Sequence, residues 1–224
     1  IGGSYQGSKV GSCKYSDITV FSFHPVKIIT TGEGGMALTN NIKIFEKLQL
    51  FRTHGITKDP SKLLKINEGP WYYEQLKLGY NYRITDIQAA LGLSQLKRLD
   101  SFTSKRNKLA NKYDEMFNET SIKTQKIYNK TYSARHLYIV RVPKEAHKNI
   151  FKRLRKVGIG VNLHYIPIHL HPYYKEMGFK EGQFQAAENY SQEAISLPLF
   201  TKLSLKELSY IVKSLKNIYY EEVK

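Results

Sequence analysis

A lysine beside hydroxyl and glycine residues is the first feature of this sequence that could perform chemistry. Lys27 follows the apolar stretch Ile18–His24, which contains Ser22, and precedes a glycine-rich turn at residues 32–35. An unprotonated lysine amine can form a Schiff base with a carbonyl compound, and a serine hydroxyl can hold a phosphate group. The same residues also fit a surface hairpin with a solvated lysine and turn-forming glycines. Composition and spacing leave both interpretations open.

The charge of the chain favours an acidic small-molecule ligand over nucleic acid. The 35 lysines and arginines outnumber the 19 acidic residues, for a net charge of +16. They are scattered along the chain, and the densest group is the run 152–156. A nucleic-acid-binding protein would need its basic residues gathered on one face. We therefore expect no nucleic-acid partner.

Length and composition predict a protein of the cytoplasm. The 224 residues suffice for one large domain or two smaller ones. The apolar runs are shorter than the ~20 residues of a membrane span, and the first residues lack a secretory pattern. The single cysteine, Cys13, cannot form an internal disulfide. Because the chain starts at Ile1 without an initiator methionine, we expect it to be part of a longer product.

Short strands and a helix are expected to position Lys27. The continuous apolar run Ile18–His24 is typical of a strand buried in a parallel sheet, and Gly34–Asn40 is the next predicted strand. A helix is predicted over Ile42–Arg52. The polar segment Gly55–Gly79 has little periodicity, which is typical of a functional loop.

The second half of the chain predicts a separate, smaller domain. Thr85 and Gln88 form a capping-box pattern, and the helix that follows is expected to continue through Phe117 as a long connecting element. The polar stretch 118–131 is the predicted boundary, which gives domains 1–117 and 118–224. The later elements, of α+β type, are a strand at His136–Val142, a helix at Lys148–Val157, a strand at Gly160–Ile166 and a helix from Ser204.

Motifs in a fixed order cover nearly the whole chain and resemble those of one enzyme family. The lysine motif combines Ser22-Phe23-His24 and Lys27 with the segment Thr31–Gly35. The others are Arg52–Gly55, Gly79–Arg83, Gln88–Gly92, His136–Tyr138, Gly158–Gly160, His164-Tyr165 with Pro167, and Ile195–Pro198. Together they resemble the DegT-type sugar aminotransferases, fold-type I enzymes that use pyridoxal 5′-phosphate (PLP). The resemblance implies an α/β fold: the C-terminal part of a large three-layer α/β/α domain, followed by a small α+β domain.

The resemblance also implies roles for individual residues. Lys27 is similar to the lysine that binds the cofactor covalently and then moves the proton between cofactor and substrate. Ser22 resembles a donor to the cofactor phosphate, and Asn81 a residue that reaches the phosphate of the neighbouring subunit's cofactor. Arg83 would bind a substrate phosphate or a donor carboxylate, and His164 the substrate. The alternatives are structural: a strand-end serine, a turn asparagine, a solvated arginine and a hydrogen-bonded histidine.

The remaining histidines give no metal prediction. His54 lies in a family motif, where a structural role is at least as reasonable as a substrate contact. His169 and His171 have no carboxylate or cysteine nearby in the sequence that would complete a metal site. We therefore expect no metal ion.

The segment Pro70–Gln75, leading into Leu78–Arg83, resembles a subgroup with a defined substrate. That subgroup aminates C4 of a UDP-4-keto-6-deoxy-N-acetylhexosamine on the route to pseudaminic acid. The resemblance implies glutamate as amino donor and a homodimer with shared active sites. The alternatives are an aminotransferase for another nucleotide keto-sugar, a dehydratase of the same fold, and a non-enzymatic basic binding protein or regulator. Lys27 argues against the dehydratase, in which histidine usually replaces this lysine.

Part of the expected catalytic apparatus would lie upstream of Ile1. In the family, an aspartate there pairs with the pyridine nitrogen of the cofactor and makes the ring an electron sink. Asp17 lies on the wrong side of the Gly-Ser-Tyr-Gln stretch to replace it. We therefore expect the isolated 224-residue chain to be inactive and poorly folded.

Overall fold

The computed structural model describes residues 1–65 and 68–223, which form two compact units. The first unit comprises Ile1–Asp100 and Lys130–Tyr132, and the second comprises Ser101–Asn129 and Ser133–Lys224. This division by contacts does not coincide with the predicted domain boundary between residues 117 and 118. The reason is that the helix before that boundary buries its apolar face in the core of the second unit. No helix in the described ranges has the length and apolarity needed to cross a membrane.

The first unit consists of short antiparallel strand pairs and two helices. The elements are β1 (Ser4–Tyr5), β2 (Ser8–Lys9), β3 (Thr19–Ser22), β4 (Gly35–Leu38), α1 (Ile42–Arg52), β5 (Ile56–Thr57), β6 (Glu74–Gln75), α2 (Asp86–Leu96) and β8 (Thr131–Tyr132). One sheet has the order β2-β1-β8, and two further sheets pair β3 with β4 and β5 with β6. Residues 66 and 67 of the predicted 55–79 loop lie outside the described residues.

The prediction that Ile18–His24 is a buried strand of a parallel sheet is wrong. The strand β3 pairs antiparallel with β4, from Thr19 opposite Leu38 to Ser22 opposite Gly35. Alternate residues of β3 are exposed, and the Val20 side chain is 73% exposed. The physical reason is the connection: parallel strands need a crossover that is usually a helix, whereas residues 23–34, which join these two strands, contain no helix.

Both helices of the first unit begin at side-chain caps. Asn41 accepts hydrogen bonds from the first turn of α1, and Thr85 forms the predicted capping box with Gln88. The predicted continuation of α2 through Phe117 is wrong. The amide of Arg98 bonds to the carbonyl of Gln95, three residues back. The chain therefore forms a tight turn, α2 ends at Leu96, and a separate helix begins at Leu99.

The second unit contains helices and a small sheet. The elements are α3 (Leu99–Phe117), β7 (Lys123–Thr124), β9 (Tyr138–Arg141), α4 (Lys144–Lys156), α5 (Pro172–Glu176), α6 (Gln185–Glu193), β10 (Ala194–Leu197) and α7 (Leu205–Glu222). The helices pack against an antiparallel sheet of order β10-β9-β7. The predicted strand Gly160–Ile166 is wrong, because only Asn162 bridges to Ser196. The next amide, that of Leu163, donates instead to the Asn162 side chain, which competes with strand pairing.

Candidate active site

Lys27 lies in the loop that joins β3 to β4 and is half-buried. The next two residues, Ile28 and Ile29, are 9% and 2% exposed. They insert into the first unit and fix the backbone on which the lysine stands. The lysine amide also donates to the carbonyl of His24 at 2.9 Å. The amine is therefore carried by an ordered, partly apolar loop rather than by a solvated hairpin tip.

Phe23, which is 7% exposed, closes the base of this loop. Its amide donates to the carbonyl of Gly34 at 2.8 Å. Its carbonyl accepts from the amide of Thr31 at 3.0 Å and from the Thr30 hydroxyl at 2.8 Å. Because three hydrogen bonds converge on one buried residue, the two ends of the loop are held together at a fixed spacing.

Ile1 lies within electrostatic reach of Lys27, so the opening residues run close to the lysine loop. At the outer side of the loop, the imidazole of His24 lies 3.8 Å from the carboxylate of Glu33, and both are largely exposed.

Ser22 is exposed at the end of β3. Its hydroxyl oxygen accepts a hydrogen bond from the amide of His24 at 3.4 Å. The structural interpretation, a serine that caps its own strand end, therefore describes this contact. Because the oxygen acts as an acceptor here, the hydroxyl hydrogen can still be donated, and phosphate binding stays a prediction.

Asn81 lies on a segment that runs antiparallel to the chain at the end of α1. Its backbone bridges to Thr53, and its side chain is exposed. His54 takes part through its backbone, which agrees with a structural role for this residue. The hydrogen bonds run from the amide of Tyr80 to the carbonyl of Phe51 (2.7 Å), from His54 to Tyr80 (2.8 Å) and from Tyr82 to Arg52 (3.0 Å).

Two glycines make this pairing possible. Gly55 has a φ of +71° and a Cβ there would collide with the carbonyl of Lys77. A Cβ on Gly79 would collide with the backbone nitrogen of Gly55. Both obstacles are backbone atoms, so a side chain at either position cannot be relieved by a rotamer change. The close approach of these two glycines sets the position of Asn81 and Arg83.

Arg83 lines an open cavity of about 630 Å³ in the first unit. Arg52 lines the same cavity, together with Glu33 and Gln88. Among the described residues, neither Lys27 nor Ser22 lines it, although the cavity includes Gly34 and Gly35 at the end of the lysine loop. Two guanidinium groups in one cavity suit phosphate or carboxylate ligands, which they bind bidentately.

Two aromatic rings line the same cavity. The rings of Tyr80 and Tyr82 are stacked, with centroids 4.8 Å apart and planes 13° from parallel, and both residues are largely exposed. Exposed, prearranged aromatic faces suit a planar ligand such as a nucleobase. The cavity thus combines positive charge with an aromatic surface.

His164 belongs to the second unit and is half-buried. Its Nδ1 lies 2.8 Å from the Ser196 hydroxyl, and its ring meets that of Tyr165 edge to face at 4.7 Å. These contacts agree with the structural interpretation of this histidine. Its predicted role in substrate binding stays a prediction.

Sequence reasoning missed two sets of contacts. Gln88 and Gln95 of α2 bond to the lysine loop across 55 and 65 residues of chain, a distance at which spacing gives no signal. The buried His169 contacts the carboxylate of Glu188 at 2.8 Å. Glu188 follows His169 by 19 residues in the sequence, so local spacing gives no signal of this pair.

Comparison with known proteins gives one consistent family. Residues 1–216 match the DegT/DnrJ/EryC1/StrS aminotransferase family. An uncharacterised Methanocaldococcus jannaschii protein, MJ1066, is 39% identical over 227 residues and covers 99% of the chain. A Campylobacter jejuni protein named UDP-4-amino-4,6-dideoxy-N-acetyl-beta-L-altrosamine transaminase is 38% identical and covers 100%.

Two solved structures agree with this family. The PLP form of the putative sugar aminotransferase Spr1654 from Streptococcus pneumoniae has a TM-score of 0.89 at 34% identity and covers 100% of the chain. Helicobacter pylori PseC, described as an aminotransferase involved in the biosynthesis of pseudoaminic acid, has a TM-score of 0.87 at 33% identity and covers 98%.

The chain spans a little over half of each of these proteins: 58% and 57% of the two relatives, and 56% and 57% of the two solved chains. Within that span the likeness confirms the predicted fold class, the α/β fold of a fold-type I aminotransferase. The match over residues 1–216 shows that this chain belongs to the DegT/DnrJ/EryC1/StrS aminotransferase family.

Proposed function

We propose that the protein is a PLP-dependent nucleotide-sugar aminotransferase. It transfers an amino group from glutamate to C4 of a UDP-4-keto-6-deoxy-N-acetylhexosamine, a step towards pseudaminic acid. The observation that carries the proposal is Lys27 itself: a half-buried lysine on a closed loop, at the position of the family's lysine motif. A solvated surface lysine would not need the buried anchors and hydrogen bonds that this loop has.

The residues present fit PLP in the kind of groups they offer. The cofactor needs an amine for its aldehyde and hydrogen-bond donors for its phosphate. Lys27 supplies the amine, and the Ser22 hydroxyl can donate because its oxygen only accepts from the His24 amide. The Asn81 amide is exposed and can donate to a phosphate outside its own unit. When bound, PLP supplies an aldehyde that carries the amino group and a ring that accepts electrons from the substrate carbon.

Lys27 has two tasks in this mechanism. Its amine would hold the cofactor covalently, and the free amine would move a proton at the substrate carbon. An arginine could do neither, because its guanidinium stays protonated. The buried Ile28 and Ile29 keep the amine in one place between the two tasks.

The cavity with Arg52 and Arg83 is the proposed site for the charged part of the substrate. A UDP-sugar carries a diphosphate and a uracil ring, and the cavity pairs two arginines with stacked tyrosines. Glutamate offers a carboxylate that the same arginines could bind in the other half-reaction. The names of the Campylobacter and Helicobacter relatives, a UDP-amino-sugar transaminase and an aminotransferase of pseudoaminic acid biosynthesis, support this choice of sugar.

We also propose a homodimer with shared active sites. The first unit exposes large apolar side chains at α2 and the preceding segment, a surface that usually marks an interface. The Asn81 side chain is exposed on the same unit, where a neighbouring subunit's cofactor could reach it. The exposed apolar residues include Leu78, Tyr82, Ile87 and Leu93, at 63–86% exposure.

Borohydride trapping tests the proposed cofactor site. The complete product of the reading frame that carries this chain is incubated with PLP, reduced, digested and searched by mass spectrometry for a pyridoxyl group. We expect one adduct, on Lys27, and none after Lys27→Arg substitution. Lys97→Arg, at the end of α2, is the matched control and should leave the adduct in place. Adducts spread over many lysines would refute the proposal.

A substrate panel tests the sugar. Purified, PLP-loaded protein is assayed with glutamate, glutamine or aspartate against UDP-4-keto and 3-keto sugars. We expect the highest kcat/KM for glutamate and the UDP-4-keto-6-deoxy-N-acetylhexosamine. A higher kcat/KM for another nucleotide keto-sugar would support the proposed aminotransferase activity but assign it a different substrate. Salt-sensitive retention on a polyanion column without transamination would favour a basic binding protein instead.

A further inference from the structure

One face of α2 is bonded to the lysine loop. Gln88 Nε2 donates to the carbonyl of Glu33 at 3.0 Å, and Gln95 Oε1 accepts from the amide of Thr30 at 3.2 Å. Residues at positions i and i+7 of a helix lie on the same face. The two glutamines therefore hold the loop at two points on its C-terminal side.

Gly92, between the two glutamines, lets the helix come close enough for both bonds. A Cβ at this position would lie 2.8 Å from the Thr31 methyl group, much closer than side chains normally approach. Thr31 is 4% exposed, and its hydroxyl donates to the same Glu33 carbonyl at 2.6 Å. The packing of Thr31 against Gly92 and the two amide bonds thus form one continuous contact.

This contact affects the position of Lys27 through the backbone of the loop. Thr30 and Thr31 both bond to the carbonyl of Phe23, at the base of the loop. The buried Ile28 and Ile29 join Lys27 directly to Thr30. A shift of Thr30 away from α2 would therefore move the segment that aims the lysine. A misplacement of about 1 Å can cost roughly a hundredfold in rate.

We propose that Gln88 and Gln95 are positioning residues for Lys27. The inference rests on the proposed role of Lys27 and adds that α2 fixes where its amine stands. Among the described residues that line the cavity proposed for the substrate, Gln88 is one and Gln95 is not. Loss of the Gln95 bond should therefore lower kcat and leave KM for both substrates nearly unchanged, whereas loss of the Gln88 bond should lower kcat and also affect KM. A loss of folding would instead lower the amount of active protein and the melting temperature.

Some substitutions in α2 remove a hydrogen bond to the loop, and others keep it, so the two groups should differ in activity. Gln88→Glu keeps the side-chain oxygen that accepts from the amide and hydroxyl of Thr85, so the helix cap survives, but it removes the donor to Glu33. Gln95→Leu removes the acceptor for Thr30, whereas Gln95→Glu retains an acceptor oxygen. Ser94→Ala, on the exposed side of α2, is the matched control.

The four variants are made in the complete protein, and kcat and KM are measured after each is shown to form the Lys27 adduct. We expect kcat to fall roughly tenfold in Gln88→Glu and Gln95→Leu, with KM within about twofold in Gln95→Leu. In Gln88→Glu, the new negative charge at the cavity should also raise KM for the sugar nucleotide. Gln95→Glu and Ser94→Ala should stay within about threefold of wild type. Hydrogen exchange in the cofactor-free protein should be faster in a peptide spanning residues 24–34 for the first two variants only.

Two results would overturn the inference. One is a kcat within twofold of wild type for both Gln88→Glu and Gln95→Leu, with unchanged exchange in the loop. The other is a loss in Gln95→Glu as large as that in Gln95→Leu, because the acceptor oxygen would then be irrelevant. A wild-type protein without an adduct on Lys27 would instead refute the proposed function, so the two failures are distinguishable.

Discussion

The interiors of the two units differ, and each unit is stabilised in its own way. In the second unit, side chains from helices and sheet form one continuous apolar core. Several of them are 0% exposed, among them Tyr113, Tyr138, Ile150, Leu154 and Leu215. In the described part of the first unit, the buried apolar side chains are Phe23, Ile28 and Ile29. All three belong to the lysine loop.

This difference suggests that the second unit contributes most to stability and the first unit most to activity. Burial of about 25 cal/mol per Å² of apolar surface makes a dense core the main source of stability, and the second unit has such a core. The first unit instead places its few buried residues around the lysine and ties the loop down with hydrogen bonds and close glycine contacts. We therefore expect substitutions in the first unit to act mainly on activity and substitutions in the second to act mainly on stability.

The largest expected effect is that of Lys27→Ala. The variant should lose transamination by roughly 10³-fold or more, because it loses both the covalent attachment and the proton transfer. Its melting temperature should stay close to that of wild type, since Lys27 contributes no apolar contact to a core. Single-turnover absorbance changes on mixing the PLP-loaded protein with glutamate measure the loss. A variant that retains a tenth of the activity would place the chemistry elsewhere.

The second unit gives the opposite prediction. Leu215→Ala, at a position with 0% exposure, should lower the free energy of unfolding by about 2–5 kcal/mol, because it removes buried methyl groups and leaves a cavity. Leu64→Ala in the first unit, where the leucine is 90% exposed, should change it by no more than about 0.5 kcal/mol. Urea denaturation compares the two. Equal losses would mean that Leu64 is buried in the assembled protein.

The sequence predicts the elements whose signals are local. The helix Ile42–Arg52 has the predicted bounds, Thr85 and Gln88 form the predicted capping box, and Ser204 caps the last helix. Each depends on residues within one or two turns of one another. The strand predicted over Gly160–Ile166 fails because a side chain competes for the backbone amide, which periodicity does not reveal.

The candidate site also combines local and distant signals. Lys27 could be proposed as the catalytic lysine because its motif is contiguous and resembles a known family. The contacts of Gln88 and Gln95 with the loop could not, because they join residues 55 and 65 positions apart. The parallel-sheet prediction for β3 failed for a related reason: which strand pairs with which is decided by the connection and by tertiary packing.

A smaller effect is expected from Gly79→Ala. The added methyl group would collide with the backbone nitrogen of Gly55, so the segment that carries Asn81 must move. Overpacking of this kind typically costs about 1–3 kcal/mol, and in the first unit it should also weaken cofactor retention. Gly160→Ala is the control, because a Cβ there has no neighbour within 4 Å. Equal behaviour of the two variants in denaturation and in PLP titration would contradict the close approach.

The smallest expected effect is a pH dependence of the second unit. Glu188 is buried, and hydrogen bonds from His169 and from the amides of Gly182 and Phe184 lower the pKa of its carboxyl below the ordinary value of 4.5. A lowered pKa in the folded state means that the ionised carboxylate stabilises the fold above pH 4.5. The stabilisation is lost as the pH falls through the lower, folded-state pKa.

Melting temperatures measured between about pH 7 and pH 3 test this linkage. The wild-type melting temperature should decline below about pH 4.5, and Glu188→Gln should show a lower melting temperature at neutral pH with a smaller decline on acidification. Glu181→Gln, an exposed neighbour, should follow the wild-type curve. A wild-type decline that Glu188→Gln reproduces in full would assign the acid sensitivity to other carboxylates. The buried His169–Glu188 pair would then stabilise the second unit through packing and neutral hydrogen bonds rather than through its charge.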